Sequence, residues 1–342
     1  MRSGLLAVFL ALSLTPACGN DGRDLDDPGD EGTDDVAIAG GEPIGGGAPR
    51  AEPDRGNHPL VEVLVADAGL YSSELTVAGD RIYWVAKGVD GYELRFVRPT
   101  GGPITTLVKF GDEPLDLVFA GDDVYWAAER RGRLLRTSVD VPGPIEVLYR
   151  DAAAVPSALT ASQKYVYFGA TDGCVRRIGL GDASAALPVA CGSGTPVVIA
   201  AADTEVFWGT AEDGLLYQAP AGGGAADKRI AGESWDSRLY IDDSQIYWLN
   251  AQARAVQVMA RDAHGVKPLA RAQYAPAGMT MDRFDVYFTT WSDQSIKRVA
   301  KVESPVEVLV GEQADPADIA LRDERAYWIN EGQGTIMQMV LP

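Results

Sequence analysis

Histidine is almost absent: the 342-residue chain holds two, His58 and His264. That shortage argues against a His-rich zinc centre. A Ser-His-Asp or Cys-His arrangement would have to run on one histidine, and no G-x-S-x-G nucleophile motif accompanies it. Basic residues are scarce too. Thirty Lys and Arg face 49 Asp and Glu, a net charge of −19. Such a surface repels phosphate backbones and argues against nucleic acid as a partner. Long apolar runs are also missing; residues 5–14 form one, too short to cross a bilayer as a permanent helix. Cysteine is limited to Cys18, Cys174 and Cys191.

What is there points elsewhere. The chain is 46% hydrophobic, enough for a large core, and its 38 Gly and 20 Pro suit an all-β protein with many turns. Residues 1–18 read MRSGLLAVFLALSLTPAC: Arg2, an apolar run, small residues, then Ala17 and Cys18. This is similar to a bacterial lipoprotein signal, with Thr15 where such signals usually carry Leu. The resemblance implies lipidation of Cys18 and an exported protein held in the cell envelope, in the outer membrane facing periplasm or surface, touching membrane through the lipid anchor only. The alternative is ordinary cleavage near Ala17 and a soluble secreted protein.

Residues 19–58 hold no core. Eleven acidic and three basic residues lie among Gly and Pro, a composition expected to give a flexible, self-repelling tether. Asp24, Asp26, Asp27 and Asp30 lack the Gly and terminal Glu of an EF-hand loop.

From residue 59 onward a unit repeats. Ile82-Tyr83-Trp84 is followed by Val124-Tyr125-Trp126, Val166-Tyr167-Phe168, Val206-Phe207-Trp208, Ile246-Tyr247-Trp248, Val286-Tyr287-Phe288 and Ala326-Tyr327-Trp328, at spacings of 42, 42, 40, 40, 40 and 40. A fixed period near 40 is that of propeller blades. Ten residues before the triplet, five of seven units carry Pro: Pro114, Pro156, Pro196, Pro276 and Pro316. Seven residues before it every unit is apolar: Leu75, Leu117, Leu159, Ile199, Leu239, Met279 and Ile319. Short alternating runs and turn signals make each unit a four-stranded meander. Such a sheet cannot bury both faces alone, whereas a radial array of them can. An extra strand near residues 61–64 precedes the first unit, and the last unit stops after its third strand. The expectation is a seven-bladed β-propeller over 59–342, monomeric, closed by the N-terminal strand completing the last blade. The tandem aromatic motif resembles the YWTD-type and TolB-like β-propellers, including exported bacterial lipoproteins; the Thr-Asp half of YWTD is absent. Many propellers of this kind are binding scaffolds, which the resemblance alone implies.

Because the Tyr-Trp pairs recur in every unit, they read as packing between blades. Cys174 begins a third strand and Cys191 ends the fourth beside it, so a disulfide is expected if the hairpin turns near Asp182-Ala183. Candidate site residues are those that break the pattern. Loops joining fourth to first strands and second to third strands emerge on one face. Tyr71, Trp235 and Tyr274 fall in the first kind, Trp291, Arg130 and Arg131 in the second. Trp291 stands where other units carry Lys87, Glu129, Thr171, Ala211, Ala251 and Glu331. Trp235, Tyr274 and Trp291 are expected to form an aromatic patch for an envelope protein or a saccharide. Eight residues before the triplets, Glu74, Asp116 and Asp318 stand in units that are consecutive in a closed ring. They read either as solvated acids balanced by Arg238 or as oxygen ligands for Ca²⁺. The primary reading is a non-enzymatic binding propeller needing no cofactor. The alternative is a divalent-metal hydrolase or lyase with Glu74, Asp116 and Asp318 as ligands.

Overall fold

The computed structural model describes residues 60–342, except 112–113, 129–131, 141–142, 182–184 and 303; of Leu70 only the backbone is described. Cys18, the stretch 19–58, Arg130, Arg131 and the turn at Asp182-Ala183 lie outside these residues. The strands form seven four-stranded antiparallel sheets. Blades 1 to 6 span 70–110, 114–150, 156–191, 196–230, 240–270 and 276–310, each a meander from inner to outer strand. Blade 7 takes its inner three strands from Pro316–Arg322, Arg325–Asn330 and Thr335–Val340, and its outer strand from Val61–Val65. Val61 faces Met339, Glu62 faces Gln338 and Val63 faces Met337. The N-terminal strand therefore closes the ring and covers what would be an open sheet edge.

The aromatic pair explains why the blades stack. Neighbouring residues of a strand point to opposite faces of the sheet, so the tyrosine of a unit enters one blade interface and the next residue enters the other. Tyr83 of blade 1 packs with Trp126 of blade 2, Tyr125 with Phe168, Tyr167 with Trp208, and Phe207 with Trp248. Tyr247 then meets Phe288 and Tyr287 meets Trp328. The seventh interface joins the last blade to the first, with Tyr327 beside Trp84. Each residue seven before the triplet is buried there as well.

Proline at the start of an inner strand costs no ladder bond, because a first residue need not donate one. Five inner strands begin at Pro114, Pro156, Pro196, Pro276 and Pro316 and bulge immediately afterwards. The two units without proline deviate. In blade 1, Tyr71 and Glu74 adopt φ of 52° and 56°, and the pairing shifts twice. In blade 5 the inner strand, expected to run through Leu239, is reduced to Tyr240–Ile241.

Cys174 and Cys191 are direct cross-strand partners and form a disulfide. The bond closes a loop of 17 residues, which in the chain-entropy model is worth about 3 kcal/mol. Replacing both cysteines by Ser is expected to lower the urea-unfolding free energy by about that amount, and reductant should reproduce the shift in the native chain. An unchanged midpoint would mean that the hairpin is ordered without the bond.

Candidate functional site

The inner strands begin at the mouth of the central channel, and there the carboxylates converge as their spacing implies, but on an arginine. Arg238 of blade 5 reaches across the channel to Glu74 of blade 1, and its Nη2 lies 3.0 Å from Asp116 of blade 2. The same Nη2 donates to the Leu117 carbonyl at 3.1 Å. The two blades lacking the inner-strand proline are thus the two joined across the ring. The positive φ of Glu74, costly for a residue with a Cβ, belongs to the bulge that presents this carboxylate.

The two aspartates serve the seams between blades. Asp116 accepts from its own strand at Leu117 N (2.8 Å) and from the next blade at Leu159 N (2.6 Å). Asp318 accepts from Ile319 N (2.8 Å) and from Leu75 N of blade 1 (2.8 Å). Charged acceptors make the stronger class of hydrogen bond, so each carboxylate clips one inner strand to the next. These contacts involve the residues that the calcium reading names. The oxygens of Asp116 and Asp318 are committed to backbone N–H groups, Glu74 is paired with a guanidinium, and the described residues contain no group of three or more His, Cys, Asp or Glu suited to a metal ion.

Two carboxylates, Glu74 and Asp116, pair with the Arg238 guanidinium, and Asp318 stands near enough to feel both charges. The side chains of Arg238, Glu74 and Asp116 are 37%, 26% and 17% accessible, and they line the cavities at the channel mouth. Burial dominates and pushes Asp116 up to about 6, helped by the charge of Glu74 and opposed by Arg238 and the two N–H donors. Asp318 is pushed up to about 6 by burial and then by Glu74, against Arg238 and its own N–H donors. The surrounding carboxylates raise Arg238, and burial raises Tyr240. A carboxyl with a raised folded value binds its proton more tightly folded than unfolded. Its contribution to stability is complete below about 4 and is lost as the pH rises through about 6. Asp318→Asn is expected to gain stability relative to the native chain, on the order of 1 kcal/mol, between pH 4 and pH 7.5. Urea midpoints at the two pH values measure this. A variant that instead loses ground as the pH rises would show that the N–H donors and Arg238 outweigh burial.

The Arg238–Glu74 bar divides the channel mouth. On one side, toward blades 2 to 5, lies a cavity of about 500 Å³ lined by Leu115, Val197, Val198, Trp235 and Arg238, among others. On the other, toward blades 5, 6, 7 and 1, a cavity of about 380 Å³ is lined by Tyr71, Glu74, Asp318 and Glu331, among others.

The expected aromatic patch is only partly assembled. Tyr274 and Trp291 are exposed (52% and 45%), and their loops are tied together by Trp291 N to Ala275 O (3.0 Å) and Ser292 Oγ to Tyr274 O (2.6 Å). The Arg254 guanidinium covers the Tyr274 ring at 4.8 Å. Tyr71 is 61% exposed, with the Lys87 amine 5.1 Å from its ring. Trp235 does not join them. Its ring lies on Gly209, where any Cβ would approach Cε2 to 2.5 Å, and its Nε1 donates to the Thr210 carbonyl at 3.1 Å. It folds back over blade 4 because glycine leaves room, and it walls the larger cavity. Sequence reasoning named Arg238 as a balancing charge for these acids but did not specify its direct contacts with Glu74 and Asp116.

Fold and site together define the class: a closed seven-bladed β-propeller whose channel mouth is spanned by an ion pair. No protein-family model and no curated protein matches the sequence. Among solved structures the chain is similar to the computationally designed Ika8 protein (15% identity, TM-score 0.57, covering 82% of this chain and 100% of that one). It is also similar to BamB from Moraxella catarrhalis (12%, 0.52, 80% and 85%) and to a chain of a nidogen/laminin complex (14%, 0.51, 69% and 91%). At these identities the likeness shows the fold alone.

Proposed function

We propose that this chain is a non-enzymatic binding propeller, exported and lipid-anchored at Cys18, whose loop face holds a protein partner in the cell envelope. The observation that carries the reading is the pair Tyr274 and Trp291. Two large aromatic rings stay exposed on loops fixed to each other by hydrogen bonds, at positions where the repeat needs no aromatic. Rigid exposed aromatics are the side chains that dominate protein interfaces. The disulfide accords with an oxidising compartment. A propeller of the same fold stands in a nidogen/laminin complex, an assembly of proteins.

Photo-crosslinking amino acids at positions 274, 291 and 284 test it in intact cells. Phe284 is 68% exposed in the turn between the inner two strands of blade 6, on the opposite face. A discrete protein adduct is expected from 274 and 291 and not from 284. Equal adducts from both faces, or glycan adducts only, would overturn the reading.

A further inference from the structure

In this acidic chain, most described loops on the face of Tyr274 and Trp291 carry a carboxylate, among them Asp67, Asp151, Asp172, Glu212, Glu312 and Glu331. Two adjoining loops differ. Residues 251–254, between the second and third strands of blade 5, and 271–275, leading into blade 6, hold Arg254 and Arg271 and no acid. Both arginines are exposed, and among the described residues neither meets a carboxylate. The acids on adjoining loops toward blades 5 and 6 are already engaged. Asp293 pairs with Lys297 at 2.5 Å and accepts from Ser295 Oγ at 3.0 Å. Asp236 accepts from Ala251 N at 2.7 Å, and Glu233 takes Trp248 Nε1 and Asn250 Nδ2 at 3.2 and 2.7 Å.

The buried Gln273 holds the backbone of both arginines in one frame with Tyr274. Its N–H donates to the Arg254 carbonyl at 2.8 Å, and its Nε2 donates to the Arg271 carbonyl at 2.7 Å. Lys297 Nζ donates to Gln273 Oε1 at 2.9 Å and so fixes the amide. Trp291 N joins the same frame through the Ala275 carbonyl. The Arg254 guanidinium lies over the Tyr274 ring. A guanidinium on an aromatic face keeps N–H donors for a planar carboxylate. Charge then selects the partner. The net −19 repels an extended polyanion such as nucleic acid. Two guanidiniums act over about a Debye length, ~8 Å, which suits a short stretch of carboxylates. Arg, Tyr and Trp are also the side chains that anchor protein interfaces. We propose that this sector receives a short acidic segment of the protein partner, with carboxylates on Arg254 and Arg271 and an apolar side chain against Tyr274 and Trp291. The proposal rests on the reading of this face as a protein-binding surface, and it adds the chemistry of the partner.

Three tripeptides with blocked termini separate the chemistries at pH 7: Glu-Phe-Glu, Gln-Phe-Gln and Lys-Phe-Lys. Binding to the full chain is followed by NMR at the Trp291 indole N–H, identified by its loss in Trp291→Phe. For ligands of this size the expected Kd is on the order of millimolar. The acidic peptide is expected to bind at least fivefold more tightly than either other, and its advantage should shrink as salt rises from about 20 mM to about 0.5 M. Arg254→Gln combined with Arg271→Gln should erase the preference, and Lys at both positions should restore part of it. Lys164→Gln, at an exposed turn on the opposite face, should leave it unchanged. Equal or tighter binding of the neutral or basic peptide, a preference that survives the double Gln variant, or no binding of the acidic peptide at about 20 mM would each overturn the proposal. So would tighter binding of a short thymidine oligomer. A failure here alongside adducts from positions 274 and 291 would discard the acidic segment and leave the protein-binding face standing.

Discussion

Trp328→Ala is expected to cost about 3–5 kcal/mol, whereas Trp291→Ala should cost less than about 1 kcal/mol. The same deletion has different consequences because the two rings hold different places. Trp328 is fully buried between blades 6 and 7 with Tyr287, Ile296 and Met339. Its Nε1 donates to Gln313 Oε1 at 2.9 Å, an oxygen that also takes Asn330 Nδ2 at 3.0 Å. Truncation removes the largest apolar body of that interface and leaves a cavity that neighbouring strands cannot fill. Gln313 also loses a donor in a buried setting. Trp291 stands half in solvent, and its loop is tied by backbone groups that the substitution leaves alone. Urea unfolding of the two variants measures the contrast. Comparable losses would mean that Trp291 belongs to the core and would remove the basis of the binding face.

Removal of residues 61–65 is expected to have a larger effect still, above about 5 kcal/mol, with loss of a single cooperative transition. The deletion strips the outer strand from blade 7, including the buried Val65 and the packing of Val61 against the core near Met339. It takes away backbone bonds along Ile336–Met339, each worth about 1 kcal/mol net. It also bares a strand edge, which invites edge-to-edge association. Denaturant unfolding and size-exclusion chromatography test this. A monomer that unfolds at the native midpoint would mean that closure by the N-terminal strand contributes nothing to stability.

Much of the fold was legible because a strand's side chains alternate and blades repeat. The triplets, the apolar residue seven before them and the missing fourth strand of the last unit each corresponded to a feature of the ring. Cys174 and Cys191 were legible because a hairpin sets them opposite each other. The site was less so. Arg238 and Glu74 are 164 residues apart and meet across the channel, between blades that are not neighbours in the ring. No local period encodes such a contact. A signal was nonetheless present: Ser72 and Asp236 stand where the other five units have proline, and those two inner strands are the irregular ones. The carboxylates eight before the triplet were read as solvated acids balanced by Arg238 or as calcium ligands, and their backbone bonds went unseen because a bond from Asp318 to Leu75 N, or from Asp116 to Leu159 N, crosses from blade to blade outside any strand ladder. Trp235 was grouped with Tyr274 and Trp291 by sequence position. The opening that captures it is Gly209, a residue on another blade.

Every placement of a site residue depends on the first strand lying against the last sheet. Hydrogen exchange of the native chain, read in peptides covering 61–65 and 335–340, measures that contact directly. The ring predicts protection of Val61–Val65 matching that of the outer strands Glu146–Arg150 and Glu307–Val310. Exchange of 61–65 at the rate of free chain, with Thr335–Val340 behaving as an uncovered edge, would contradict it.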